Sequence, residues 1–440
     1  MDPRAQYLAA FAQAEPQHQA EAPGRRLVRQ QALARFAALG FPTEKEEAWR
    51  FTSLAALADR SFGPAPRAVP DATIAAAVAA GRRDLAGDLG GPCLVFVDGL
   101  LAPSLSELGA LAPGALLGTM AAPPRWRADG VASGLARDAS EGDALAALNA
   151  ALTQDGAVLR VPHGLALDRP VSLLFVATGG QAAHPRSVIA LGEGSRATVV
   201  ETYLALGPDA SFTNAATEVE VGAGAHLDHY RLTGGGDAFL VGRAAYRLGR
   251  DADLAAHAVT FGGTLVRHDL RATVEAGASA ALGGLYLAGG AEHVDHHLLV
   301  DHAAPGGRSR SLYKGVLAGH ARAVFEGAVA VRPDAQRTDA VVANHNLLVS
   351  DDATVNSKPQ FNIHADDVKC THGATVGQLR EDEIFYLRSR GLDREAAGAL
   401  LLQAFAGEAL AGIGLAPLRA AIDGRILDWL PRQARLREAA

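Results

Sequence analysis

The chain is poor in cysteine, lysine and aromatic residues. Two cysteines in 440 residues, Cys93 and Cys370, cannot form the disulfide framework of a secreted scaffold, and they point to a reducing, cytoplasmic setting. With only four lysines (Lys45, Lys314, Lys358 and Lys369) and a formal net charge of −7, there is no lysine-rich tract to neutralise a phosphate backbone. Nucleic acid is therefore not an expected partner. Uncharged runs such as 396–407 and 409–418 fall well short of the roughly 18–20 apolar residues that a membrane helix requires, so no membrane association is expected. The N-terminal segment shows no signal-peptide pattern. None of the lysines follows a glycine, which excludes a P-loop, and GxSxG, HExxH and a strand-borne GxGxxG are also missing. Neither an enzyme nor a nucleotide-binding protein is expected.

Glycine, by contrast, is abundant: 48 residues, about one in nine. From about residue 156 to 378, short β-branched runs alternate with Gly, Asp and Asn turns. A weak turn motif recurs at Gly194, Gly224, Asp251, Gly277, Gly319, Asp351 and His372, with successive intervals of 30, 27, 26, 42, 32 and 21. Units that cannot bury their own apolar face suit a stacked β-solenoid. A β-sandwich with similarly spaced turns is the alternative, but a sandwich of this size would normally bring more aromatic core than 5 %. The flanks read differently. Residues 1–155 look mostly helical, with a helix over 25–39 stopped by Gly40, a capping box from Thr43 to Glu46, and a strand at 94–98 running into an Asp-Gly turn. Residues 142–153 and the whole of 379–440 also read as helical. In the latter, Asp393 caps a helix whose apolar face is expected at Leu400, Ala404 and Phe405.

Histidine supplies the main chemical signal. In EHVDHHLLVDH a strand would point His293, Asp295 and His297 one way and His296 the other, so a two-histidine, one-carboxylate metal site is possible. Solvent-facing or hydrogen-bonded residues on the solenoid are the plainer reading of the same pattern, which includes His302. Cys370 and His372 are sharper. Two apart on a strand, they share a face at about 7 Å and could serve one soft metal, and Lys369 could lower the thiol pKa. The alternative there is a small buried residue beside a hydrogen-bonded histidine, and Cys93 reads simply as core. Asp366 and Asp367, with Asp351 and Asp352, would invite polysaccharide chemistry, but adjacent strand residues face opposite sides. An iron–sulfur cluster normally takes about four ligands, so one available cysteine cannot enclose a cluster without another polypeptide.

Residues 356–391 (NSKPQFNIHADDVKCTHGATVGQLREDEIFYLRSRG) resemble the SufB/SufD family of iron–sulfur cluster assembly scaffolds. FPTEKEEAWRFTSL, LVFVDGLLAPSLS, VDHAAPGGRSRSLYKGVLAGHARAVFEG and VRPDAQRTDAVVANHNLLVSDDATVNSKP support it, so the resemblance spans about residues 41–410. Length and cysteine shortage resemble the SufD branch rather than the SufB branch. The resemblance implies a mainly β fold: a right-handed parallel β-helix over 156–378 between helical domains at 1–155 and 379–440. It further implies pairing with SufB through the β-helix end near Cys370 and His372, and docking of the ATPase SufC on the C-terminal helices. Cys370 and His372 match the family's Cys-x-His-Gly, with the histidine carried over ahead of the cysteine as a ligand of iron or a nascent cluster, transient and shared with SufB. A homodimer of the isolated chain is a further state to test. The competing class is a stand-alone metal-binding or carbohydrate-active β-helix.

Overall fold

A computed structural model describes residues 3–19, 21, 23–63, 70–109, 111–121 and 143–438. The protein is mainly β, a solenoid of about eight turns built from two facing, largely parallel sheets and flanked by helices at both chain ends. The first sheet runs Leu100–Leu101, Cys93–Val97, Val171–Ala177, Arg196–Ala205, His226–Gly234, Asp253–Phe261, Ser279–Ala288, Arg308–Leu317, Thr338–Leu348, Val368–Gly377. The second runs Leu116–Thr119, Ala157–Val161, Arg186–Leu191, Ser211–Val221, Ala238–Leu248, Leu265–Val274, His293–His302, Arg322–Val331, Thr354–Ile363. Successive strands alternate between sheets, so each turn contributes one strand to each. Each strand of the solenoid up to the last turn then hydrogen-bonds the equivalent strand of the next turn. Inward side chains such as Leu227, Leu254, Ala280, Val266, Val294 and Ala323 fill the space between the sheets.

One corner of each turn explains the turn residues of the sequence. Gly194, Gly224, Asp251, Gly277, Gly306 and Arg337 each lie two residues before a strand of the first sheet, or one residue before it for Arg337, all at left-handed φ between +56° and +76°. Each donates its backbone N–H to a carbonyl at the same corner of the next turn, for example Gly224 to Arg250 at 2.9 Å and Asp251 to Ala276 at 2.9 Å. The repeat read from sequence tracks this corner from Gly194 to Gly277 and then changes edge. Gly319 and Asp351 belong to the opposite corner, three residues before strands of the second sheet, and His372 lies within a strand. The interval of 42 is that change of edge.

Gly40 ends its helix as expected, at φ +71° with its N–H on the Phe36 carbonyl. Asp98 and Gly99, at φ +48° and +83°, form the expected turn. The capping box is half realised: Glu46 accepts from the Thr43 N–H at 3.0 Å, but the element it opens is a single 3-10 turn, Glu47–Trp49.

Helices cover both outer faces. Tyr7, Phe36, Trp49, Leu57 and Leu148 pack on Phe212, Phe239, Val241 and Leu265 of the second sheet. On the first sheet, Leu402, Ala406, Ile413, Leu418, Ile422 and Ile426 join Leu85 over Leu232, Val259, Leu285 and Val316. Helix Arg394–Ala409 is capped by Asp393, which accepts from the Ala396 N–H at 2.7 Å, but it buries Ala397, Leu402, Ala406 and Ala409. Leu400 and Ala404 are exposed and Phe405 is half-buried, so the expected face is rotated. Apolar residues lie on most sides of this helix, so its pattern does not single out one face, and the face it buries is the one that meets the first sheet. Lys314, buried on the sheet, bonds Glu408 and lies 4.2 Å over the Phe405 ring.

Candidate functional site

The last turn differs from the others because no further turn stacks on it. Among the described residues Val368–Gly377 pairs only with Thr338–Leu348 and Thr354–Ile363 only with Arg322–Val331, so each strand keeps one edge unpaired. Register fixes which side chains look into the open end. Cys370 stands opposite Ala340 and His372 opposite Val342, and both partners are buried between the sheets. Phe361 likewise stands opposite the buried Val329. Cys370, His372 and Phe361 therefore form the uncovered final layer of the solenoid interior. The rings of Phe361 and His372 stack at 4.6 Å and 24°, which orients an imidazole that is otherwise exposed.

Cys370 is half-buried, and burial pushes its thiol up despite a hydrogen bond with the Ala340 backbone. Lys369 does not activate it. That lysine is exposed on the opposite side of the strand, so the expected depression of the thiol pKa is corrected. Cys93 is fully buried, as expected of a core residue. Asp366 and Asp367 lie in the bend before the last strand rather than on a strand.

The histidine-rich strand His293–His302 alternates as expected, with His293, Asp295 and His297 outward and His296 inward. The outward trio is occupied by protein. The Thr52 hydroxyl donates to Asp295 at 2.6 Å, Arg267 Nη1 donates to it at 2.8 Å, and His297 Nε2 is 3.0 Å away. His293 Nε2 meets the same Thr52 hydroxyl at 3.0 Å. Burial would push the Asp295 carboxyl up, but Arg267 and His297 outweigh it and hold the pKa well below the carboxylate range. Arg267 also donates to the Ala48 carbonyl at 2.7 Å and lies 3.9 Å over Trp49. The trio thus straps the 48–52 segment to the second sheet. Among the described residues no group of three or more His, Cys, Asp or Glu side chains is arranged to hold a metal.

Sequence reasoning missed a polar line inside the solenoid. Glu201 accepts from Thr217 at 2.8 Å and from Arg231 at 3.1 Å, all three buried, and His229 bonds Tyr246 at 2.8 Å. Thr233 meets His268 at 3.2 Å; His268 stacks on His296 at 5.3 Å and His296 on Tyr286 at 5.2 Å. Asn344 bonds the Tyr286 hydroxyl at 3.0 Å and accepts from Ser357 at 2.8 Å, which reaches the last turn. The signal was present as polar residues at inward positions, such as His229, Arg231 and Thr233 in HLDHYRLTG. Their parity becomes meaningful only once the facing strands are known.

On the C-terminal helices Phe385, Tyr386 and Leu400 are 72 %, 57 % and 46 % exposed. No described helix is long and apolar enough to cross a membrane.

Comparison with known proteins gives these features a context. Residues 174–405 match the family model described as "SUF system FeS cluster assembly, SufBD core domain", and residues 1–173 match "SufBD protein N-terminal region". The chain is 32 % identical over 419 residues to the iron–sulfur cluster assembly protein SufD of Escherichia coli, covering 92 % of this chain and 93 % of that one. It is 31 % identical over 404 residues to an iron–sulfur cluster assembly SufBD family protein of Synechocystis, covering 89 % and 88 %. A Mycobacterium bovis SufBD family protein is 37 % identical over 191 residues, 41 % of this chain and 48 % of that one.

Proposed function

The chain belongs to the SufBD family of iron–sulfur cluster assembly proteins, and on that premise we propose that it is a non-enzymatic, SufD-type scaffold subunit. In this reading it works in the cytoplasm, pairs with SufB and carries the ATPase SufC, and the assembly admits iron for de novo cluster formation. The working division is a helical N-terminal part to residue 155, the β core to 378 and a docking part from 379. The observation that carries the proposal is the open last turn. Two unpaired strand edges invite a partner strand, and the layer they frame ends in His372 and Cys370. His372, exposed and steadied by Phe361, is suited to give one imidazole nitrogen to iron or a nascent cluster. Thiolates from SufB would complete the ligand set. Cys370 is the weaker donor, because a half-buried thiol with a raised pKa offers little thiolate near neutrality.

His372→Ala in the reconstituted complex should lower iron and acid-labile sulfide severalfold while leaving the subunits assembled; unchanged cluster content overturns the assigned role. SufC docking is assigned to the exposed Phe385–Tyr386 surface. Truncation would be a poor test, since the helices after Gly391 cover the apolar outer face of the first sheet. Phe385→Asp with Tyr386→Ala should abolish co-purification with the ATPase, and retained binding would place that surface elsewhere.

A further inference from the structure

On the outer face of the first sheet, one row of residues aligned by strand register runs Leu232, Val259, Leu285, Lys314, His345, Thr375. The first three belong to the apolar cluster under the C-terminal helices. At Lys314 the row turns polar while still covered. That side chain is 3 % exposed, whereas the other three lysines are exposed or half-buried. The cover is helix Arg394–Ala409, whose Glu408 bonds the Lys314 ammonium and whose Phe405 ring lies 4.2 Å from it. His345, the other titratable group beside Lys314, has Nδ1 at 2.8 Å from the Thr375 hydroxyl, and burial, with Lys314 adding to it, pushes its pKa down. It is neutral near neutrality, so Glu408 is the one opposite charge on this lysine among the described residues.

Taking an ammonium out of water is costly, and exchanging a buried ion pair for apolar groups is often neutral or stabilising. This pair is also lopsided. The Glu408 side chain stays 70 % exposed, so the loss of hydration falls on Lys314. The rest of the seat is thin: of the four residues this helix buries, Ala397, Leu402, Ala406 and Ala409, three are alanines, which bring little apolar area. Lifting the helix returns Lys314 to water and leaves Glu408 solvated, which narrows the gap between seated and lifted states.

The two ends of the helix are held differently. The turn after it is pinned: the Gly414 N–H donates to the Tyr230 hydroxyl at 3.0 Å, and Arg419 donates to the Ala411 and Ile413 carbonyls at 3.1 and 2.7 Å. At Gly412 a Cβ would come within 2.3 Å of His257 Nε2, so the backbone lies directly on the sheet. At the other end Arg394 donates to both Glu381 oxygens, at 2.8 and 2.5 Å, tying the helix to Glu381–Ser389, which carries Phe385 and Tyr386.

We propose that Lys314 and Glu408 form a releasable latch: the pair seats helix Arg394–Ala409 on the first sheet, and a partner pulling on Phe385 and Tyr386 opens it about the pinned turn at 410–414. The partner is the ATPase of the reading above, on which this coupling rests; the latch itself belongs to the chain alone.

Hydrogen–deuterium exchange on the full chain tests the latch. Glu408→Gln strands the Lys314 ammonium, so amides of 394–409 should exchange at least about tenfold faster while strand Asp253–Phe261 keeps its wild-type rates. In a Lys314→Met background the same Glu408→Gln change should alter nothing. Wild-type rates in Glu408→Gln, acceleration that spreads to Asp253–Phe261, or equal acceleration with and without Lys314 overturns the latch. In the reconstituted complex Lys314→Met, which replaces the latch by an apolar contact, should keep the ATPase bound and lower iron and acid-labile sulfide severalfold. Unchanged cluster content, or loss of the ATPase, overturns the coupling. Should Phe385→Asp with Tyr386→Ala leave ATPase binding intact, the docking reading fails while the exchange result still decides the latch.

Discussion

The middle turns of the solenoid and its last turn share one backbone plan and differ in what closes them. In the middle, every strand has a partner on both edges, and even charged side chains are sealed, as with Glu201, 0 % exposed, and Arg231, 3 % exposed. At the end, the same inward positions are occupied by Cys370, His372 and Phe361, with neither a further turn nor a covering helix over them among the described residues. The other end of the solenoid shows that an open edge is not inevitable. There Leu100–Leu101 and Leu116–Thr119 run antiparallel to their neighbours and finish the two sheets with short strands. Short edge strands blunt further pairing, whereas ten-residue strands leave a long template. The two ends thus differ in edge: one is finished by short antiparallel strands, the other leaves two ten-residue strands with one edge unpaired among the described residues.

Acid should produce the largest effect, because the middle turns enclose neutral histidines. Burial lowers His229, His296 and His302 from an ordinary 6.5 to about 4. Below pH 6.5 the unfolded chain takes up protons that the folded chain refuses, so stability falls between about pH 6.5 and 4. Each such histidine contributes up to about 1.4 kcal/mol per pH unit. Urea midpoints should drop clearly from pH 7.5 to 5.5, and His229→Gln should flatten the slope; equal midpoints at both pH values would contradict a sealed interior.

A second contrast sets charge deletion in the middle against deletion at the end. Arg231→Met strands the buried Glu201 carboxylate and should cost about 3–5 kcal/mol, much of it recovered in the double variant with Glu201→Leu. His372→Ala should change the stability of the isolated chain by less than about 0.5 kcal/mol. Similar losses at the two sites would erase the distinction between closed and open turns.

The cysteines report the same difference kinetically. With a maleimide at pH 8, Cys370 should react while Cys93 stays protected until the chain unfolds, a rate gap of about two orders of magnitude or more. The smallest expected effect is at a corner. Arg337 holds φ +63° where four equivalent corners have glycine, so Arg337→Gly should stabilise by only about 0.5 kcal/mol after the entropy of the added glycine is counted. A marked loss would show that the arginine side chain, rather than the corner geometry, matters there.

Much of the fold is legible in the sequence, and the misses have specific causes. The solenoid is readable because Gly194, Gly224, Asp251 and Gly277 repeat one left-handed corner, a local backbone requirement that favours particular residues. The change of edge at Gly319 is not, because both corners use the same residue types. Cys370 and His372 can be assigned to one face by strand alternation alone. That this face looks into an open interior requires knowing that Ala340 and Val342 lie opposite them. Helix Arg394–Ala409 has apolar residues on most sides, so its buried face waits on the distant first-sheet residues it packs against, such as Leu285 and Val316.

By itself, then, the sequence determined local conformations: where corners fall, which residues share a strand face, where helices start, and that one available cysteine cannot hold a cluster alone. These rest on φ/ψ preferences, strand alternation and counting. Only the tertiary structure decided burial, and with it chemistry. His293 and His297 became a strap because Thr52 and Arg267 come to Asp295 from distant parts of the chain. The Cys370 thiol is raised rather than lowered because packing half-buries it, and Lys369, across the strand, does not offset that. His372 ended up accessible because the two sheets stop at this turn. Burial is a property of what packs against a residue from elsewhere, and no local pattern encodes it.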